Sequence, residues 1–211
     1  MGTSKRNLSD NIRNFLKEKT LPDVNNSAPE LTKKILTKKV LSANFEQEES
    51  INNSIKVISS QFLSLNTSGF NGKQRQDLIE DPMLQDEFLD MILEKIEELK
   101  EIESSIFEKA LKIVMCRFLK ESQFELYSFA QLLFYEVVYQ TLITDLHDNL
   151  KDIFEELEYN LIEKMVRQAT NQIMNESVFR KVNLFIEKKI SLNDVLSEIA
   201  TQTSEAKFGE F

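Results

Sequence analysis

Glycine and proline are nearly missing from this chain, with four and three in 211 residues, and neither occurs in the 126 residues between Pro82 and Gly209. These two residues are the strongest punctuators of local structure, so their absence excludes a body built on tight hairpins and glycine-rich loops. What remains is helices joined by short polar breaks, and the fold class read from this is all-α. A phosphate-cradling loop needs closely spaced glycines, and the lone Gly69-Phe70-Asn71-Gly72 run, followed by Lys73-Gln74, does not match the pattern of such a loop.

Histidine occurs once, as His147, which excludes any metal centre that needs two imidazoles on neighbouring helical turns. Tryptophan is absent, and the aromatic content rests on fifteen Phe and four Tyr. The single cysteine, Cys116, cannot form an intrachain disulfide and stands in an apolar helical pattern, which predicts a buried, inert thiol. Long apolar runs are missing too. The most apolar stretch, Phe129 to Ile143, is interrupted by Gln131, Glu136 and Gln140 and is shorter than the ~18 residues of a membrane span. The first twenty residues carry seven charges and no continuous apolar core, unlike a leader peptide. Together with the lack of paired cysteines, this sets the expectation of a cytoplasmic protein without cofactor.

The charges that are present divide unevenly. Residues 1–42 hold nine Lys or Arg against four acids, and the remainder holds 17 against 31. A basic arm therefore precedes an acidic body. Within the arm, Leu8, Ile12, Phe15 and Leu16 form one amphipathic set, followed by a Pro/Asn/Ser linker at 21–27. Next, Leu31-Thr32-Lys33-Lys34-Ile35 is repeated as Leu36-Thr37-Lys38-Lys39-Val40. Five residues do not match a period of 3.6, so on one continuous helix the apolar side chains would face several directions and could not be buried on a single surface.

The organisation expected is an arm over 1–43, an amphipathic helix over 44–68, a loop over 69–81 and a bundle over 82–211. The full chain would then be a multi-helix bundle of about six to eight helices with a partly helical arm. Asn44 with Gln47 reads as a capping box before Ile51, Ile55, Ile58, Phe62 and Leu65. Asp81-Pro82 reads as the start of a helix reaching about Glu103, with Leu84, Phe88, Met91, Ile92, Ile96, Leu99 and Ile102 inward. Ser105 with Glu108 is the expected start of a second, with Ile106, Ala110, Ile113 and Val114 inward. Ser122 with Glu125 starts a third, whose apolar body from Phe129 to Ile143 marks it as the central helix. A fourth is predicted over 149–174, striped by Leu150, Phe154, Leu157, Leu161, Met165 and Ala169, with His147 at the junction before it. Shorter helices over 178–190 and 192–203 complete the chain.

No catalytic constellation stands on this framework. Asp145 and Asp148, three apart, and Asp194 in Asn193-Asp194-Val195-Leu196-Ser197 are the acids from which an all-carboxylate metal site could be built. The latter run resembles the start of a magnesium-binding motif of helical terpene cyclases, but Thr201 stands where that motif needs an acid. From Asp77 to Lys109 there are twelve acids and three lysines, which suits a solvated face or a docking face for a basic partner.

The function expected is therefore that of a non-catalytic interaction protein: an adaptor, an assembly subunit or a regulator. Its partner is another protein, bound through the arm (Leu8, Ile12, Phe15, Leu16, Lys33, Lys34, Lys38, Lys39) or through the acidic helix 82–103. A homo-oligomer is compatible with the same pattern. Nucleic acid is disfavoured, since the acidic body repels phosphate. The second reading is a bundle that binds an apolar ligand or lipid around Phe124, Phe129, Phe134 and Tyr135, and the third is a metal-dependent helical enzyme with an all-carboxylate site.

Overall fold

The computed structural model describes Asn14 and residues 30–99, 104–121, 123–151 and 159–206. It is an all-α, multi-helix bundle without strands among these residues. A helical segment over 30–35 precedes α1 (Lys38–Asn44), α2 (Glu48–Ser68), α3 (Arg75–Glu80), α4 (Pro82–Leu99), α5 (Ser105–Lys120), α6 (Leu126–Lys151), α7 (Tyr159–Ile173), α8 (Glu176–Ile186) and α9 (Leu192–Glu205). They form two compact units. One gathers the described residues up to Ser42 with those of Val138–Lys181 and those from Leu192 onward; the other comprises those of Ala43–Val137 and Val182–Ser191.

In the first unit the five-residue repeat does not form one helix. The chain breaks at Leu36-Thr37, where Leu36 N–H donates to Thr32 C=O and Thr37 N–H to Ile35 C=O, both at 2.8 Å. Thr37 Oγ1 then accepts from Val40 N–H at 3.3 Å and caps α1. The break re-phases the second copy of the repeat. Leu31, Ile35, Leu36 and Leu41 are all buried as a result, while Lys33, Lys34, Lys38 and Lys39 stay exposed. The expectation framed on one continuous helix gives way to two short helical pieces, and the four apolar side chains on either side of the break are buried. Leu8, Ile12, Phe15 and Leu16 lie outside the described residues.

Helix α6 runs unbroken to Lys151, so the predicted junction at His147 and helix start near Asn149 do not exist. His147 sits within the helix, its ring 5.4 Å from that of Tyr159. Nearly every residue from Phe129 to Ile143 is buried, as expected of a central helix. Of the stripe predicted for the next helix, Met165 and Ala169 are buried in α7 beside Ile162, Val166 and Ile173. Phe154 and Leu157, and the side chains of Leu150 and Leu161, lie outside the described residues.

Helix α8 ends four residues before the predicted Ile190. Lys189 N–H donates to Leu184 C=O at 2.9 Å and Lys188 N–H to Phe185 C=O at 2.8 Å, with Lys188 at φ 57°. This is a Schellman termination with lysine in the left-handed position that glycine ordinarily fills. Nothing in the local sequence signals it.

In the second unit, α2 buries Ile51, Ile55, Ile58, Phe62 and Leu65, the stripe read from the sequence. Its N-cap is Gln47, with no side-chain bond, because Asn44 is the last residue of α1. Acids Glu48 and Glu49 in the first turn favour the helix dipole instead. At the far end Gly69 has φ 72° and Gly72 φ 75°, either side of Phe70 and Asn71. Phe70 and Lys73 exchange two backbone hydrogen bonds of 2.8 Å across this turn. The predicted loop over 69–81 then gives way to α3, held open-ended to sequence reading because its cap is unusual: Gln74 N–H donates to Asp77 Oδ2 at 2.7 Å.

Asp81 Oδ1 accepts from Met83 and Leu84 N–H at 3.0 and 3.3 Å, so Asp81-Pro82 starts α4 as predicted. The helix buries Phe88, Ile92 and Ile96, and also Leu89 and Leu93, which a single narrow stripe misses. For α5 the N-cap is Ser104 rather than Ser105. Its buried face is Phe107, Ala110, Leu111, Val114, Met115, Phe118 and Leu119, leaving Ile106 and Ile113 half-buried at the margin. The larger Phe107, Leu111 and Phe118 decide which way the helix turns.

Two backbone tests follow from these turns. A Cβ at Gly69 would lie 2.3 Å from the Lys73 carbonyl oxygen, whereas one at Gly72 would meet nothing within 4 Å. Gly69→Ala is expected to lose more than about 2 kcal/mol of unfolding free energy and Gly72→Ala about 1 kcal/mol, as read by urea denaturation. Equal losses would contradict the close approach. Lys188→Gly is expected to gain about 0.5 kcal/mol by relieving the left-handed lysine; a loss in the same assay would mean the Lys188 side chain contributes more than its strain.

Candidate functional site

Helices α3 and α4 supply the densest charge in the described chain. Between residues 77 and 98 there are nine carboxylates, at 77, 80, 81, 86, 87, 90, 94, 97 and 98, and all are exposed. Lys95 is the only basic residue in that interval. Burial of Phe88, Leu89, Ile92, Leu93 and Ile96 turns the opposite side of α4 outward, and Met83, Glu87, Asp90, Glu94 and Glu98 follow one another there at helical spacing. Met83 is 75% exposed, an apolar side chain at the head of an acidic row.

The acidic row is fixed from below. Phe62 of α2 meets Phe88 of α4 at 5.8 Å between ring centroids, and Lys95 Nζ donates to Gln61 Oε1 at 3.1 Å, so the two helices run antiparallel. Phe88 also meets Phe70 at 5.2 Å, and Phe62 meets Phe124 at 5.3 Å. Phe124 in turn contacts Phe118 and Phe129, at 5.6 and 5.2 Å. Separately, Phe134 lies 5.0 Å from Phe45 and 5.8 Å from Phe185. Three of the rings named as lining for an apolar ligand, Phe124, Phe129 and Phe134, are thus in contact with other rings, each pair adding about 0.5–1.5 kcal/mol beyond burial. Toward its C-terminal end α4 borders an open polar groove of about 500 Å³, shared with α2 and lined by Asn53, Lys56, Val57, Ser60, Gln61, Lys95 and Glu98.

On the neighbouring helix, Lys112 Nζ pairs with Asp90 at 3.1 Å, both ends exposed, and this hydrogen bond raises the lysine pKa against its partial burial. Pairs of this kind contribute about 0–1 kcal/mol. Cys116 is half-buried rather than buried; burial first, and the charge of Asp86 second, push its thiol pKa up, which favours the protonated form.

Sequence reasoning missed the charges that hold the second unit together. Glu46 is buried, and its carboxylate accepts from Ser104 N–H at 2.6 Å, at the start of α5. Arg75 closes the other end of α5. Its Nε donates to Leu119 C=O at 2.9 Å, Nη2 to Phe118 C=O, and Nη1 to Asn66 Oδ1 at 3.0 Å, with the guanidinium 5.8 Å from the Phe62 ring. Burial pushes the Arg75 pKa down while Glu121 opposes the shift; the group stays charged. A lone arginine in a predicted loop gives no sequence signal of this role.

In the first unit, Glu198 of α9 is mostly buried and accepts from Ser177 Oγ at 2.8 Å, Gln202 Nε2 at 3.0 Å and Lys181 Nζ at 3.0 Å. The Ser177 bond first, then Lys181, hold its carboxyl below the usual range against burial. Asn175 joins the cluster by donating to Gln202 Oε1 at 2.6 Å, and it caps α8 through Ser177 N–H at 3.0 Å. Every polar group of the cluster serves the α8–α9 corner, and the arrangement is structural.

Of the residues singled out for metal binding, Asp145 lies on α6 and Asp194 in the first turn of α9. Among the described residues no group of three or more His, Cys, Asp or Glu side chains is placed to hold a metal ion. No described helix is long and apolar enough to cross a membrane. No family model, curated protein or solved structure matches the chain.

Arg75→Ala is expected to cost about 2–3 kcal/mol, because it removes charged donors from the Leu119 carbonyl, from Asn66 and from the Phe118 carbonyl, which keeps only the Glu121 N–H. Arg75→Lys should recover less than half of this, since one ammonium cannot reproduce the fork; full recovery in chemical denaturation would reduce Arg75 to a point charge. For Glu198, a folded-state pKa below the unfolded value of about 4.3 means its contribution is complete above that pH and is lost as pH falls through the lower folded value. Glu198→Gln is therefore expected to destabilise at pH 7 by about 1–2 kcal/mol and to differ less from the parent at pH 3. A difference that is the same at both pH values would remove the charged hydrogen bonds as its cause.

Proposed function

We propose that this chain is a non-catalytic helical interaction protein, an adaptor, assembly subunit or regulator, that docks a basic protein partner on the outward face of α4. The observation that carries the reading is the exposed row of Glu87, Asp90, Glu94 and Glu98, headed by Met83 and offset by Lys95 within the interval and by Lys112, which pairs with Asp90. Such a field accelerates encounter with a cationic surface and repels an acidic one, and Met83 offers the apolar contact that fixes register. The ring contacts of Phe124, Phe129 and Phe134 support this reading over an apolar-ligand site.

The basic segment contributes differently from what its sequence suggested. Lys33, Lys34, Lys38 and Lys39 are exposed on a segment whose apolar side chains are core, so an acidic partner would meet the exposed Lys33, Lys38 and Lys39 rather than Leu31, Ile35, Leu36 or Leu41. Removing residues 1–43 would unmake the core of the first unit. A truncation that begins at Glu30 keeps Leu31, Ile35, Leu36 and Leu41 and deletes Leu8, Ile12, Phe15 and Leu16.

The test is affinity capture from source lysate with three baits: the full chain, the chain from Glu30, and the full chain carrying Glu87→Lys, Asp90→Lys and Glu94→Lys. The expected result is a protein with a basic surface that is held by the first two baits, released by 0.5 M salt, and lost from the third, with circular dichroism showing the third still helical. Retention by all three baits would move docking away from α4. Loss from the Glu30 bait alone would assign it to the first 29 residues, and capture of nothing by any bait would overturn the reading.

A further inference from the structure

No further inference is drawn: the strongest candidate, the open polar groove between α2 and α4, sets the ammonium groups of Lys56 and Lys95 against Glu98 and the acidic row of α4, has Lys95 already bound to Gln61, and nothing in the structure shows what covers it.

Discussion

A buried helix presents unsatisfied N–H groups at its start and unsatisfied carbonyls at its end, and α5 meets both demands with charges from outside itself. Glu46, from the connection between α1 and α2, accepts from Ser104 N–H, while the Ser104 hydroxyl donates back to Asn44 C=O at 2.9 Å and accepts from Phe107 N–H at 3.2 Å. At the other end Arg75 binds the last carbonyls. Anion at the N-terminus and cation at the C-terminus also follow the direction of the helix dipole. Each group orders the connection that carries it: Glu46 fixes the entry to α2, and Arg75 fixes α3 immediately after the glycine turn.

From that clasp the rest of the second unit follows. Arg75 stands beside Phe62, and Phe62 stands between Phe88 and Phe124, so the charged clasp and the aromatic core share a side chain. With Phe88 fixed inward, helical geometry leaves Glu87, Asp90 and Glu94 no direction but outward. The outward placement of the acidic residues is thus a consequence of core packing.

The amphipathic stripe of α2, the Asp81-Pro82 helix start and the burial of α6 were legible because each rests on local pattern: apolar residues at 3.6-residue spacing, a cap with proline at the first turn, and a helix apolar on all sides. The α8 terminus was not legible, since Lys188 takes the left-handed position against its own preference, and only the packing of Phe185 and its neighbours makes the chain turn there. Helix α3 was hidden in a segment with one buried residue, Leu78, too short for a periodic signal. The acidic composition of α4 was visible in advance, but Glu46, Arg75 and Glu198 were indistinguishable from the chain's many surface charges.

The sequence by itself determined that the chain is helical, because glycine and proline are missing where strands and turns would need them, and it determined that the body is acidic. Only the tertiary structure decided where the five-residue repeat breaks. A continuous helix would scatter Leu31, Ile35, Leu36 and Leu41 around its axis, and the burial of all four outweighs the helical hydrogen bonding forfeited at Leu36-Thr37. It also decided which charges are structural and which face solvent. Burial depends on contacts between segments far apart in the chain, such as Glu46 with Ser104 and Arg75 with Leu119, and no local pattern of residues encodes those contacts.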